Sequence, residues 1–453
     1  MPDVAPPIPP KPASRAGKVS LWRHLALFRE DILASQPARL YRAWMAEFRT
    51  PFFHSFLCND PALVALILHG RPGDFPKSAM VRQGLLPLLG RSVMVTNGAL
   101  WERQRRILDP AFAGGRVAET FPAMLAAGQA AAARLAPGTQ DIQPFCGELA
   151  LDVVMRTTFS LPVDDEAAAV ILRRFRDFIA TRPIMSLASL LPLPGWLPRP
   201  RNRRALAAAR DVRAQITALV QARRAAIAAG TAPDDMATAI LTMCDPVTGE
   251  TLGDEEMVDQ VATFVLAGHE TTAASLAWTL YLLATHPEVQ ERAAAEARAF
   301  AADPGYARMI ALQFLRDVYR ESLRLYPPVP MIVRETAQEE HFRGRRVPRG
   351  AQVTISPWHL QRHERLWDRP DTFDPDRWKD PATVHCAHAA YVPFSAGPRV
   401  CIGAGVARIE GPLLLALLLA RWEFTPDGPP PVPMAHLTLR GRDGIRLRLT
   451  PRG

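Results

Sequence analysis

The stretch PFSAGPRVCIGAG, residues 393–405, sets one cysteine among three glycines and an arginine. It leads into ARIEGPLLLALLLARW, residues 407–422, an apolar segment that reads as a buried helix. Gly397 and Pro398 bend the chain before Cys401, and Gly403 removes a side chain just after it. Backbone without Cβ atoms lets a flat, bulky group come close. A thiol at the start of a helix lies near free N–H groups and a partial positive charge, which favour the thiolate. The local pattern offers a thiolate to a cation or a metal centre, although a lone cysteine beside glycines also fits an inert buried thiol.

The rest of the chain offers that thiol no rival use. Of 453 residues five are cysteines (Cys58, Cys146, Cys244, Cys386, Cys401), none in a CxxC pair, which argues against a disulfide framework or a structural zinc site. A hydrophobic content of 48% suits a large core. The 43 prolines gather in APPIPPKP (5–12), LPLPGWLPRP (191–200) and PDGPPPVP (426–433), which suits a tail and loops. Residues 1–20 are therefore expected to form a flexible arm, and residues 21–453 one catalytic domain. No run of 18 apolar residues and no secretory pattern is present, so no membrane span and a cytoplasmic location are expected. The net charge of +9 is spread along the chain without an aromatic-interleaved basic block. That argues against nucleic acid and fits an acidic protein partner.

The second half reads as helices. Residues 253–287, GDEEMVDQVATFVLAGHETTAASLAWTLYLLATHP, open on an acidic first turn and close at Pro287. Glu270, Thr271 and Thr272 are polar in its apolar middle. A mid-helix threonine can bond back to the carbonyl four residues earlier and open a groove; a buried ion pair and a self-satisfied hydroxyl is the plainer alternative. Residues 286–300 and 312–328 read as two further helices, the second carrying Glu321 and Arg324 on one face. RGRRVPRGAQVTIS, residues 343–356, is the one clear β region. The class is mostly α with a small β portion.

In sequence order, WERQR (101–105), AGHETT (267–272), ESLR (321–324), FDPDRW (373–378) and FSAGPRVCIG (394–403) resemble the cytochrome P450 superfamily, heme-thiolate monooxygenases of the soluble bacterial type. The resemblance runs from about residue 35 to the end, and Phe394, Gly397, Arg399, Cys401 and Gly403 meet every defined position of the cysteine-loop pattern. It implies the family fold, with heme b between a long central helix and the cysteine-bearing loop. It implies Cys401 as axial iron ligand, Phe394 beside the sulfur, Gly397 and Gly403 against the ring, and Trp101, Arg105, Arg334 and Arg399 toward the propionates. Thr271 and Glu270 would serve catalysis on the distal side by handling protons, and Glu321, Arg324 and Arg377 would form a structural triad. The chain departs from the pattern at Gln361, where many relatives carry histidine, and at Trp378, where phenylalanine is commoner. His359 and His363 are expected to be an ordinary surface pair.

The resemblance also implies a pocket lined by Phe264, Ala267, Val329, Met331 and Leu437, within or beside the segments 77–95, 182–198, 329–333 and 436–439. These are rich in Leu, Met, Ile and Pro, so an apolar small-molecule substrate is expected. About fifty residues follow Cys401, too few for a reductase domain. Electrons are thus expected from NAD(P)H through a separate ferredoxin or flavodoxin with its reductase, drawn in by Arg103, Arg106 and Arg408. A peroxide-dependent peroxygenase and a non-catalytic heme sensor are the alternatives; an intact Glu270–Thr271 pair favours the dioxygen enzyme.

Overall fold

The computed structural model describes residues 7–15, 17, 19–49, 54–162, 166–181 and 203–453. The stretch 182–198, expected to line the pocket, lies outside them.

Nine helices position the site. They are α1 Leu21–Glu30, α2 Ala79–Leu89, α3 Gly98–Leu108, α4 Ile142–Phe159, α5 Arg203–Ala228, α6 Asp254–Thr285, α7 Pro287–Ala301, α8 Gln313–Leu325 and α9 Ala404–Leu419. α6 has 32 residues. Gly253 stands extended at its N-cap, three acids follow, and the Glu256 carboxylate accepts the Gly253 N–H at 3.4 Å. It ends where His286 N–H turns back to Leu283 and Pro287 starts α7.

The N-terminal half of α6, Met257 to Leu266, is buried in a cluster with α2, α4 and α5, and the C-terminal half, Leu276 to Ala284, in a second cluster with α7, α8 and α9. The polar stretch Gly268–Ser275 thus falls where two cores meet. On one side Gly268 lets α4 pack close, since a Cβ there would stand 2.6 Å from Val154 Cγ2. On the other, Ser275 Oγ meets Tyr319 Oη of α8 at 2.9 Å, and Thr279 Oγ1 donates to Ser322 Oγ at 2.8 Å. Gly411 of α9 gives that tyrosine its room, because a Cβ there would overlap the ring.

The strands are β1 Met45–Arg49, β2 His54–Cys58, β3 Gly138–Asp141, β4 Ile332–Glu335, β5 Glu340–Phe342, β6 Arg345–Val347, β7 Gln352–Ile355, β8 Trp422–Pro426, β9 Pro433–Ala435, β10 Leu439–Gly441 and β11 Arg446–Pro451. One sheet runs β1-β2-β7-β4, with β2 and β7 parallel, and a second runs β3-β11-β8. β5 pairs with β6 and β9 with β10. The β region expected at 343–356 is β6 and β7, but it is not the only one. The C-terminal strands escaped notice because prolines break their pattern and two of them are three residues long.

Part of the stretch read as a free arm is held against the body. Tyr326 Oη donates to Pro10 O at 2.8 Å, Lys11 pairs with Asp371 at 2.5 Å, and Arg15 exchanges backbone hydrogen bonds with Gln36 and Ala38. No helix among the described residues is long and apolar enough to cross a membrane.

Candidate active site

Cys401 lies where the 393–400 loop turns into α9. Its N–H donates to Phe394 O at 2.9 Å and Val400 N–H to Gly397 O at 3.0 Å, closing the loop around the sulfur. Gly397 has φ +69°, and a Cβ there would overlap the Leu68 carbonyl. Its glycine is therefore required to seat the loop on residue 68, a reason different from the approach of a flat ring. Gly403 has an ordinary φ of −83°, and a Cβ would stand 4.0 Å from Cys401 Sγ. Its smallness concerns the space at the sulfur. Cys401 is solvent-accessible yet deeply surrounded by protein. Burial pushes its thiol up, while the Gly403 N–H and the charges of Arg105 and Arg408 pull it down. A cation bound at Sγ would settle that balance on the thiolate. The Arg408 guanidinium lies 5.4 Å from the centre of the Phe394 ring.

Next to the loop, four cations converge. Lys77 Nζ, Arg399 and Arg105 stand 5.4, 5.2 and 5.9 Å from the Trp101 ring centre. Buried Arg334 on β4 bridges to Lys77 through the backbone. Arg105 Nη1 donates to Val400 O at 2.8 Å, and Arg399 Nη1 to Phe75 O at 3.1 Å and to Pro72 O. Of the four, only Arg105 has a salt bridge among the described residues, to Asp109 at 2.7 Å. Burial, aided by Arg334, Arg399, Arg105 and Arg82, holds the Lys77 ammonium down to about 6; burial and Arg399 hold Arg334 to about 10. Like charges gathered in a desolvated place call for an anion. The two propionates of heme have that chemistry, and with the thiol beside them the residues present fit the group.

Lys77 is the member that sequence reasoning missed. It was visible only as the first residue of an apolar wall, and its partners come from three distant segments. Its Nζ donates to Val93 O at 2.5 Å and Thr96 O at 3.0 Å, and the ammonium form, which a bound anion would favour, has a third N–H for that ligand.

On α6, Thr271 Oγ1 donates to Ala267 O at 2.5 Å, the back-bond expected of a mid-helix threonine. Glu270 Oε2 accepts from Thr438 Oγ1 at 2.9 Å. Thr272 Oγ1 donates to Glu410 Oε2 of α9 at 3.3 Å. Glu410 is buried with no hydrogen bond to its Oε1, and burial raises its carboxyl to about 8. Phe264 packs edge-on against Phe112 at 5.2 Å, in the same apolar cluster as Trp101, Leu437 and Ile402, the neighbour of Cys401. Met331 instead joins the second cluster, with Phe394 and Ala273, and Ala267 and Val329 are half-buried. The structure does not bring all five expected pocket residues into one cluster.

Glu321, Arg324 and Arg377 do come together. Arg324 Nη2 and Arg377 Nε both donate to Glu321 Oε1 at 2.8 Å, and all three residues are buried. The two guanidiniums also donate to the carbonyls of Gln361, Asp368, Arg369, Pro370 and Thr372. Gln361, the departure from the family pattern, is fully used: its Nε2 donates to Leu323 O and Arg324 O, and its Oε1 accepts from Val392 N. His359 and His363 are buried, not the expected surface pair. Burial holds His359 down to about 3, and its Nδ1 meets Ser356 Oγ at 2.8 Å. Among the described residues no group of three His, Cys, Asp or Glu side chains could hold a metal ion.

Two of the three cations expected at the redox face are paired within the protein. Arg106 forms a two-bond pair with buried Asp245, 2.7 Å each, and Arg103 reaches Glu250 at 2.9 Å and Glu256 at 3.0 Å. Their charge serves internal contacts between α3 and the segment leading into α6. Arg408 remains exposed.

Comparison with known proteins gives one consistent result. The cytochrome P450 family pattern matches residues 48–447. The chain is 34% identical over 432 residues to cyclooctat-9-en-7-ol 5-monooxygenase of Streptomyces melanosporofaciens, covering 93% of this chain and 92% of that one. It is 35% identical over 356 residues to pentalenene oxygenase of Streptomyces avermitilis, covering 77% and 78%. Among solved structures, the heme domain of cytochrome P450DA superposes with a TM-score of 0.82 at 27% identity, covering 99% of this chain and 98% of that one.

Proposed function

The chain belongs to the cytochrome P450 family and is a monooxygenase of hydrophobic substrates, and from that premise we propose that it oxygenates a cyclic terpenoid, a hydrocarbon or its alcohol, using dioxygen. The observation that carries this reading is the juxtaposition of the Cys401 loop, an anion-seeking cluster and an apolar wall with an acid–alcohol pair on α6. The relatives' substrates narrow the class: two of them are named for cyclic terpenoids, compounds with few polar atoms. A wall of Phe264, Phe112 and Leu437 meets such a ligand by area and shape.

Heme held by a cysteinate activates dioxygen and supplies the oxidising power. Cys401 would ligate the iron through its thiolate, and Lys77, Arg105, Arg334 and Arg399 would hold the propionates. Phe394 would limit the access of water to the ligated sulfur. Glu270 and Thr271 hold and pass protons at Oε1/Oε2 and Oγ1, as general acids do at a buried site. The Glu321–Arg324–Arg377 network fixes the loop that feeds Cys401. Electrons come from NAD(P)H through a separate small iron–sulfur or flavin carrier, for which Arg408 is the exposed cation nearest the cysteine loop in sequence.

The test is spectroscopic. Reduction with dithionite and addition of carbon monoxide should give the strongly red-shifted Soret band of a thiolate ligand, and a Cys401→His variant should lose it. A panel of cyclic terpenes and their alcohols should then shift the spin state at micromolar concentration. Saturable shifts from straight-chain fatty acids alone would sink the terpenoid reading and leave the monooxygenase standing.

A further inference from the structure

We infer that Thr438 is a positioning residue for the Glu270 carboxylate, an inference that rests on the proton-handling role proposed for Glu270. Glu270 sits on α6 with its side chain about one-fifth exposed. One carboxylate oxygen accepts the Thr438 hydroxyl at 2.9 Å; the other lies 3.8 Å from His269 Nδ1, beyond hydrogen-bond reach. The fixed partner is therefore Thr438, 168 residues away in sequence.

Thr438 is suited to fix something because its own turn is fixed. It is buried, between β9 and β10, whose ends pair at Leu439 and Ala435. Leu439 N–H donates to Pro328 O at 2.9 Å, and Ala435 N–H to Asp31 Oδ1 at 3.0 Å. The turn is thus anchored to the chain before β4 and to the end of α1, independently of α6. A hydroxyl on that scaffold holds the acid at one position relative to Thr271, and a proton donor works only from a held position. Leu437, the adjacent residue, belongs to the apolar cluster of Phe264, so the same turn touches both the pocket wall and the acid.

The chemistry provides a readout that needs no substrate. Two electrons and two protons reduce dioxygen to hydrogen peroxide; four of each reduce it to two waters, with the O–O bond broken. Proton supply to the reduced dioxygen decides between them. The experiment measures the peroxide released per NADPH consumed by the holoprotein, driven by a plant ferredoxin and its reductase without substrate. Thr438→Val should raise the peroxide fraction severalfold, to the level of Glu270→Gln, with heme content and the carbon monoxide band unchanged. Thr438→Ser should restore the wild-type fraction, and the double variant should be no worse than Glu270→Gln alone. If the valine variant loses heme, Thr438→Ala takes its place in the same comparison. A wild-type peroxide fraction in Thr438→Val beside a raised one in Glu270→Gln overturns the positioning role and leaves the Glu270 reading intact. A wild-type fraction in Glu270→Gln removes the premise and the inference together.

Discussion

At the scale of single residues, two ionisable groups carry the sharpest consequences, half-buried Lys77 and buried Glu410. Lys77 bonds two carbonyls inside a cluster of arginines, and its proposed role is to help retain heme. Replacing Lys77 with Met should speed transfer of heme to apomyoglobin roughly tenfold, the loss of about 1.5 kcal/mol expected of one hydrogen bond to a charged group. Glu410 gives a pH signature. Its carboxyl is raised to about 8 in the folded protein, above its value in the unfolded chain. Between those values the folded state binds the extra proton, so stability falls as pH rises through that window, by up to about 1.4 kcal/mol per pH unit. Glu410→Gln should flatten that slope between pH 5 and 8, as denaturant melts at successive pH values would show.

Elements are held here by polar contacts that only their packing makes meaningful. Glu321 on α8 is wholly buried and neutralised by two arginines, one on its own helix and one on the 373–378 segment. Such a network adds little net stability but specifies geometry. Arg377→Ala leaves Glu321 paired with Arg324 but orphans the Asp368 and Arg369 carbonyls, so it should destabilise the protein by about 1–3 kcal/mol and lower heme incorporation on expression. Arg377→Lys should recover little, because one ammonium cannot reach Glu321 and the Asp368, Arg369 and Thr372 carbonyls together. The same geometry shows why Gln361 is no defect: its amide ties the end of α8 to Val392, just before the cysteine loop.

For the whole molecule, α6 is the axis on which two cores meet, and the polar residues in its middle are tolerable because Glu270, Thr272 and Ser275 find partners on other elements and Thr271 bonds back to Ala267 O. Charge is distributed with the same economy. Arg103 and Arg106 are paired with acids in the segment leading into α6 and in its first turn, whereas Arg408 is exposed, and the proposed recognition of an acidic electron donor is tested there. Arg408→Glu should slow reduction by ferredoxin severalfold in stopped-flow measurements at low ionic strength, and the difference should fade as salt rises. Arg106→Glu should instead lower thermal stability, since it faces buried Asp245 with a like charge.

The helices and the cysteine loop were legible in the sequence because their signals are local. An acidic first turn, a long apolar run and a closing proline define α6 without reference to the rest of the chain. The glycines and arginine around Cys401 are a contiguous pattern. Contacts between distant segments were legible only where a known family suggested them, as for Glu321 with Arg377. Tertiary structure alone decided that Lys77 enters the cationic cluster, that Arg106 turns to Asp245, that Gly397 makes way for residue 68, and that Thr438 meets Glu270. None of these has a periodicity or a spacing to announce it. Each depends on desolvation and on distances between side chains that the fold sets only once the two cores have closed.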